Sequence, residues 1–290
     1  MATVLAFVGT LLWFVHPIQI QSVTYIVQRM TSLCTFFYLS AFVLYLSGRT
    51  EATGRRRWFL YGAACLSWFL ALGSKQIAAT LPVLVVMSEA LLFPGSLSEL
   101  YRRHKKLVLG VFYASLVAAL LYLGTQPLER LAEGYGNRDF TMPQRVITQF
   151  RVVAFYLTLL AYPHPARLNF DHHFPASTSL LSPPSTLISL VALVFLAVAA
   201  VVLWRRGNRL LSFCIAWFFL HLVIESSVVP LEMAFEHRLY LPSVGVAMGV
   251  VWGMWRYVPT ARWWKVLVAI LAVTMFSWWT VQRNHVWRSP

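Results

Sequence analysis

Residues 185–204 read Ser-Thr-Leu-Ile-Ser-Leu-Val-Ala-Leu-Val-Phe-Leu-Ala-Val-Ala-Ala-Val-Val-Leu-Trp and run directly into Arg205-Arg206. An uncharged stretch of this length matches the roughly 20 helical residues that cross a hydrocarbon core, and the arginines behind it suit a headgroup boundary. Comparable stretches lie at 2–15, 30–47, 57–73, 78–94, 107–123, 146–162, 210–225, 240–256 and 264–281. No stretch alternates apolar and polar residues as a barrel strand would, so the expected spans are helices. Composition agrees: of 290 residues, 59% are hydrophobic and 12% charged, with a mean hydropathy of +0.65, well outside the balance of a soluble domain. The expected fold is an all-α, polytopic integral membrane helix bundle. Residues 1–290 form a single transmembrane module of about nine or ten membrane helices, with no soluble domain.

The net charge of +14 would suggest nucleic acid in a soluble protein. Here the basic residues sit in short loops between apolar runs, which is the pattern of orientation signals, with attraction to anionic lipid as a secondary effect. Cys34, Cys65 and Cys214 lie far apart inside apolar stretches and read as buried small hydrophobes rather than as disulfides or metal ligands. Residues 2–15 lack the basic leader and cleavage site of a signal peptide and read as the remainder of a membrane helix.

Four basic clusters orient the chain: Arg49 with Arg55, Arg56 and Arg57; Arg102, Arg103, Lys105 and Lys106; Arg205, Arg206 and Arg209; and Arg256, Arg262 and Lys265. The positive-inside rule puts all four in the cytoplasm. Simple alternation then works everywhere except between 107 and 204, where parity requires that 146–162 not cross. Arg145, Gln149 and Arg151 at near-helical spacing suit a re-entrant or interfacial amphipathic helix there. A true span with one inverted basic loop is the rival reading. With the non-crossing reading, the segments 16–29, 73–78, 124–184, 225–240 and the tail from Gln282 fall outside.

Ionisable groups near membrane depth are costly, so each is a candidate for function. The segment 16–29 carries His16, Gln19, Gln21, Gln28 and Arg29, and reads either as a surface amphipathic helix or as part of a site. Lys75, in Ser74-Lys75-Gln76, has no loop to solvate it and either snorkels or meets a lipid phosphate. His164, Asp171, His172 and His173 match no established metal-ligand spacing, so a hydrogen-bonded loop is expected and no metal site is assigned. The densest cluster holds Glu225, Glu232, Glu236, His237, Arg238 and Tyr240. A purely structural ion-pair network is one reading; the density favours the other, since carboxylates at low dielectric are costly unless they hold a cation, a sugar hydroxyl or a proton in transit, and arginine offers a forked donor for phosphate oxygens.

Three of these segments resemble one family. His16-Pro17-Ile18-Gln19 with Tyr25-Ile26-Val27-Gln28-Arg29, Ser74-Lys75-Gln76-Ile77-Ala78-Ala79-Thr80-Leu81-Pro82, and Phe235-Glu236-His237-Arg238-Leu239-Tyr240-Leu241-Pro242-Ser243-Val244-Gly245 look like the membrane half of bacterial TPR-containing glycosyltransferases. These are similar to the transmembrane and TPR-repeat O-mannosyltransferases, with the GT-C fold. Residues 169–175, and Arg283-Asn284 with Trp287, resemble further segments of that family.

The resemblance implies transfer of a sugar from a polyprenyl-phosphate donor to a protein hydroxyl, outside the cytoplasm and at a bacterial inner membrane. The implied partners are the lipid-linked sugar, membrane lipid and an acceptor protein, not nucleic acid. Arg29, Lys75 and Arg238 are expected to contact phosphate, with His16, Gln19, His237 and Tyr240 also binding substrate. The base is expected in the family's acidic first loop, with Glu225, Glu236 and Asp171 as the candidates for base or positioning in this chain, and a divalent metal is the cofactor such carboxylates would suit. Three departures stand out: the acidic first loop and the TPR repeats of the family are not found, and Gln76 stands where many relatives carry glutamate. The chain therefore reads as an inactive fragment of a larger enzyme. A transporter or lipid flippase and a noncatalytic membrane scaffold are the alternatives.

Overall fold

The computed structural model describes residues 1–51, 54–93 and 133–286, with Arg102, Tyr113 and Glu129 between them. The described residues are helical, with no strand among them. The helices are α1 (Ala2–Val15), α2 (Ile20–Thr24), α3 (Arg29–Thr50), α4 (Gly54–Ser74), α5 (Leu81–Leu91), α6 (Met142–Ala161), α7 (Ser185–Arg205), α8 (Arg209–Leu222), α9 (Pro242–Tyr257) and α10 (Arg262–His285). Short 3₁₀ turns at Pro17–Gln19, Ile26–Gln28, Gln76–Thr80, Pro165–Arg167 and Glu236–Leu239 break the chain between them.

By length and apolarity, Ile26–Thr50, Ser185–Arg205 and Arg262–His285 could cross a membrane, and Ala2–Val15 with Pro17–Thr24 makes a fourth span if its 55° bend is allowed. That is fewer than the ten stretches read from the sequence. α8 and α9 have 14 and 16 residues, short of the roughly 20 a straight span needs. The expected span at 107–123, Tyr113 apart, lies outside the described residues. Two of the candidate spans are apolar outward: Phe195 on α7 is 74% exposed, and the apolar window of α10 has no buried residue. Arg145, Glu236 and Arg238 are instead buried. Apolar outside and polar inside is the arrangement lipid favours.

The described chain divides into two compact units, Met1–Arg29 with Arg138–Pro290, and Met30–Asn137. In the first unit, α1 packs on α9 and α10, α8 lies between α7 and α9, and α6 packs on α7. Ile18, Val152, Tyr156, Leu159, Phe218 and Leu239 belong to its core. α8 and α9 approach closely at Gly245, where an added Cβ would sit 2.6 Å from Cδ1 of Trp217 and 3.0 Å from the Cys214 carbonyl. Small residues permit such backbone proximity between membrane helices. Trp217 then donates from its indole to the Leu241 carbonyl at 2.9 Å.

α6 begins with a capping box: Thr141 Oγ1 accepts from the Gln144 N–H, and Gln144 Oε1 accepts from the Thr141 N–H at 2.9 Å, with proline following the cap. This helix is not among the candidate spans. Its polar face is the reverse of the interfacial one expected, because Arg145, Thr148 and Gln149 point into the protein. Residues 16–29 likewise form no surface amphipathic helix. Gln19, Gln21 and Ser22 are buried while Val23, Ile26 and Val27 are exposed.

In the second unit, α3, α4, the turn Gln76–Thr80 and α5 are tied by polar contacts. Tyr38 and Thr80 share a hydrogen bond of 3.0 Å, and the Trp68 indole donates to the Ala78 carbonyl at 2.8 Å. Cys34 and Cys214 are buried free thiols; Cys65, expected to be buried, is exposed on α4.

Candidate functional site

Glu236 begins the 3₁₀ turn that leads into α9, and it is 1% exposed. A buried carboxylate is costly unless paired and hydrogen-bonded. Here Oε1 accepts from the Asn169 N–H at 2.6 Å and from His172 Nε2 at 2.9 Å, and Oε2 lies 3.8 Å from Nη2 of Arg283. Arg283 also donates to the Leu168 carbonyl. One side chain thus joins the 168–172 loop, the turn before α9 and the end of α10.

The next residue makes a second junction. Gln21 Oε1 accepts from the His237 N–H at 2.6 Å and lies 3.2 Å from the ring Nδ1, while its Nε2 donates to the Phe170 carbonyl at 2.7 Å. Gln19 Nε2 donates to the Trp13 carbonyl and to Ser243 Oγ, both at 3.1 Å. The Trp13 indole donates to the Tyr240 carbonyl at 2.9 Å. Segments 19–22, 168–172 and 235–243 therefore form one hydrogen-bonded body.

Two buried arginines hold the loop between α8 and the turn. Arg145, fully buried, donates to the carbonyls of Glu225 at 2.8 Å, Ser227 at 3.2 Å and Glu232 at 3.0 Å, and also to that of Leu231. Arg238 donates to the carbonyls of Glu232 at 2.7 Å and Met233 at 3.1 Å, with its guanidinium 5.5 Å from the Phe235 ring centre. The fork expected to meet phosphate is turned onto backbone. Glu232 pairs with Arg138. The Tyr156 hydroxyl accepts from the Phe235 N–H at 2.9 Å, and burial raises this phenol's pKa against the opposing pull of Arg238.

His16 sits at the bend after α1. A carbonyl can only accept and a backbone amide can only donate, so Nε2 donates to Leu160 O at 3.1 Å and Nδ1 accepts from the Ile18 N–H at 3.2 Å. Both nitrogens serve the fold. Arg29 is exposed, with Nε donating to the Val23 carbonyl at 3.1 Å. Lys75 lies in the second unit, where Nζ donates to Thr31 Oγ1 at 3.2 Å. Glu225 is buried. Asp171 is exposed on the same loop that carries Asn169 and His172, so of the three candidate carboxylates it is the exposed one. Tyr240 is half-buried, edge-on to Trp13.

Sequence reasoning passed over several residues. Gln21 and Gln149 were legible only as part of polar runs, and Arg283 only as part of the tail segment. Glu89, fully buried in α5, accepts from the Tyr45 hydroxyl at 2.5 Å and Arg49 Nε at 2.9 Å; a lone carboxylate inside an apolar run was its signal. Among the described residues no three histidine, cysteine or carboxylate side chains converge. Glu236 and His172 would offer a cation at most two ligands. The chain matches no family model, no curated protein and no solved structure.

Proposed function

We propose that this chain is the membrane module of a GT-C-type glycosyltransferase. It would pass a sugar from a polyprenyl phosphate to a protein hydroxyl on the extracytoplasmic side of a bacterial inner membrane, with the basic loops in the cytoplasm. The supporting observation is the junction itself: segments 19–22 and 235–243, which carry the resemblance, meet each other and the 168–172 loop through Gln21, Gln19 and Glu236. In the step proposed, the acceptor oxygen bonds to the anomeric carbon from the face opposite the phosphate. Its proton passes to a carboxylate, and the sugar–phosphate C–O bond breaks with its electron pair on the phosphate. Asp171 is the accessible carboxylate for that role. Glu236, already accepting from two donors beside Arg283, suits positioning.

The test is donor binding by the purified chain in lipid nanodiscs. A polyprenyl-phosphate mannose is expected to bind saturably and at least about tenfold tighter than phosphatidylglycerol, a margin worth about 1.4 kcal/mol. Equal affinities would remove the proposal and leave a membrane scaffold. The transporter reading has one observation in its favour, the bent pair Ala2–Val15 and Pro17–Thr24, since transporters build midplane sites from broken helices. It also needs a matching break in the other half, and among the described residues this bent pair stands alone.

A further inference from the structure

Trp255, near the end of α9, has two cations around its ring. Lys265 Nζ lies 5.3 Å from the ring centre and donates to the Trp255 carbonyl at 2.8 Å, and the Arg262 guanidinium lies 6.0 Å from the same centre. Arg262 and Lys265 stand three residues apart at the start of α10, a spacing at which like charges on a helix repel. No carboxylate offsets them: residues 237–290 contain no aspartate or glutamate, and neither cation is in an ion pair among the described residues. The carboxylates of the first unit, Asp139, Asp171, Glu225, Glu232 and Glu236, all lie outside α7, α8, α9 and α10. The indole face attracts both charges. It gathers them without neutralising them.

The surroundings narrow the kind of anion. Trp263 and Trp264 stack on each other at 4.7 Å beside these cations and are exposed, as tryptophans are at the level of lipid headgroups. Arg262, Val266 and Ile270 follow at four-residue spacing and so form one stripe along α10, and all three are exposed. A molecule that meets this stripe needs a negative head for the guanidinium and a hydrocarbon tail for the valine and isoleucine. A soluble anion satisfies only the first half, and a neutral lipid only the second. We propose that Arg262 and Lys265, gathered on Trp255, bind the phosphate of an anionic phospholipid whose acyl chain lies along Val266 and Ile270. Basic residues at the ends of membrane helices hold phospholipid headgroups by the same charge attraction. The site is independent of the glycosyltransferase reading. It differs from the general attraction of basic loops to anionic lipid in requiring these two cations.

Thermal melting of the detergent-solubilised protein, titrated with dioleoyl phosphatidylglycerol, dioleoyl phosphatidylcholine or inorganic phosphate, tests this. Phosphatidylglycerol is expected to raise the melting temperature saturably, with a midpoint about tenfold or more below that of phosphatidylcholine, and inorganic phosphate to leave it unchanged. The double variant Arg262→Gln with Lys265→Gln should lose the preference for phosphatidylglycerol, while Arg262→Lys with Lys265→Arg keeps it. Arg55→Gln with Arg56→Gln removes the same two charges from α4 and should move the midpoint by no more than about twofold. Equal weakening in the α4 variant would reduce the effect to general charge attraction and overturn the site, as would equal stabilisation by the two lipids. Inorganic phosphate as effective as phosphatidylglycerol would overturn the assignment to a lipid. Should the double glutamine variant fail to fold, the single change Arg262→Gln, at an exposed position, takes its place with the same outcomes.

Discussion

Gln21 and His237, 216 residues apart in the chain, meet at 2.6 Å through a side-chain oxygen and a backbone N–H. The same amide reaches Phe170, so one glutamine holds three segments together. Replacing it with leucine keeps the volume but strands a buried N–H, at a cost of about 1–3 kcal/mol. Gln21→Leu is expected to lower the melting temperature of the detergent-solubilised protein, whereas Gln282→Leu, at an exposed position, should change it little. Equal melting of Gln21→Leu and the parent would mean that this contact contributes nothing to the fold.

Asp171 and Glu236 should separate in their effects. Glu236→Gln removes the charge facing His172 and Arg283, and a hydrogen bond to a charged group is worth about 1.5–3 kcal/mol, so stability is expected to fall. Asp171→Asn is an exposed change, expected to alter stability by no more than about 0.5 kcal/mol. If Asp171 is the base, the same variant lowers sugar transfer in native membranes about 10²–10⁴-fold with donor binding retained. Full transfer by Asp171→Asn would return the base to another carboxylate.

How much of this was legible in the sequence depended on what each residue meets. Apolar runs report contact with lipid directly, and α3, α7 and α10 fall where those runs lie. The period of Arg145, Gln149 and Arg151 marked an amphipathic helix, but a period fixes only that polar residues share a face. In α6 that face turns inward, because the carbonyls of Glu225, Ser227 and Glu232 solvate Arg145 in place of water. The density of charge around Glu236 was visible, but its partners were not. Asn169, His172 and Arg283 come from other elements that tertiary packing brings to it. The partners of Arg238 were hidden for a local reason: its turn brings the carbonyls of Glu232 and Met233 within reach of its own fork.

The approach of α8 and α9 at Gly245 gives a packing prediction. Gly245→Ala places a methyl against the Trp217 ring and the Cys214 carbonyl, where overpacking costs typically 1–3 kcal/mol, or roughly that. Gly62→Ala, in α4, meets nothing within 4 Å and is the control. Thermal melting should drop for the first variant and hold or rise for the second. A Gly245→Ala protein as stable as its parent would show that the two helices can move apart freely.

The proposed sidedness is open to direct labelling. Cys65 is exposed and must be replaced before single cysteines are introduced. In that background, cysteines at Arg55, Arg206 and Arg262 are expected to resist an impermeant thiol reagent added to intact cells, while one at Asp171 should react. Labelling at two of the three basic sites would reverse the orientation and with it the side on which donor and acceptor are proposed to meet.

The bend at His16 bears on what else the chain can carry. Its imidazole gives a hydrogen to Leu160 and takes one from Ile18, a division of labour available only to the neutral ring. A proton arriving at Nδ1 would face the Ile18 N–H head-on and pry apart the start of the Pro17–Gln19 turn. The junction between α1 and α2 is therefore a proton-insulated joint, and a carrier driven by protonation at that position would have to dismantle its own hinge on every cycle.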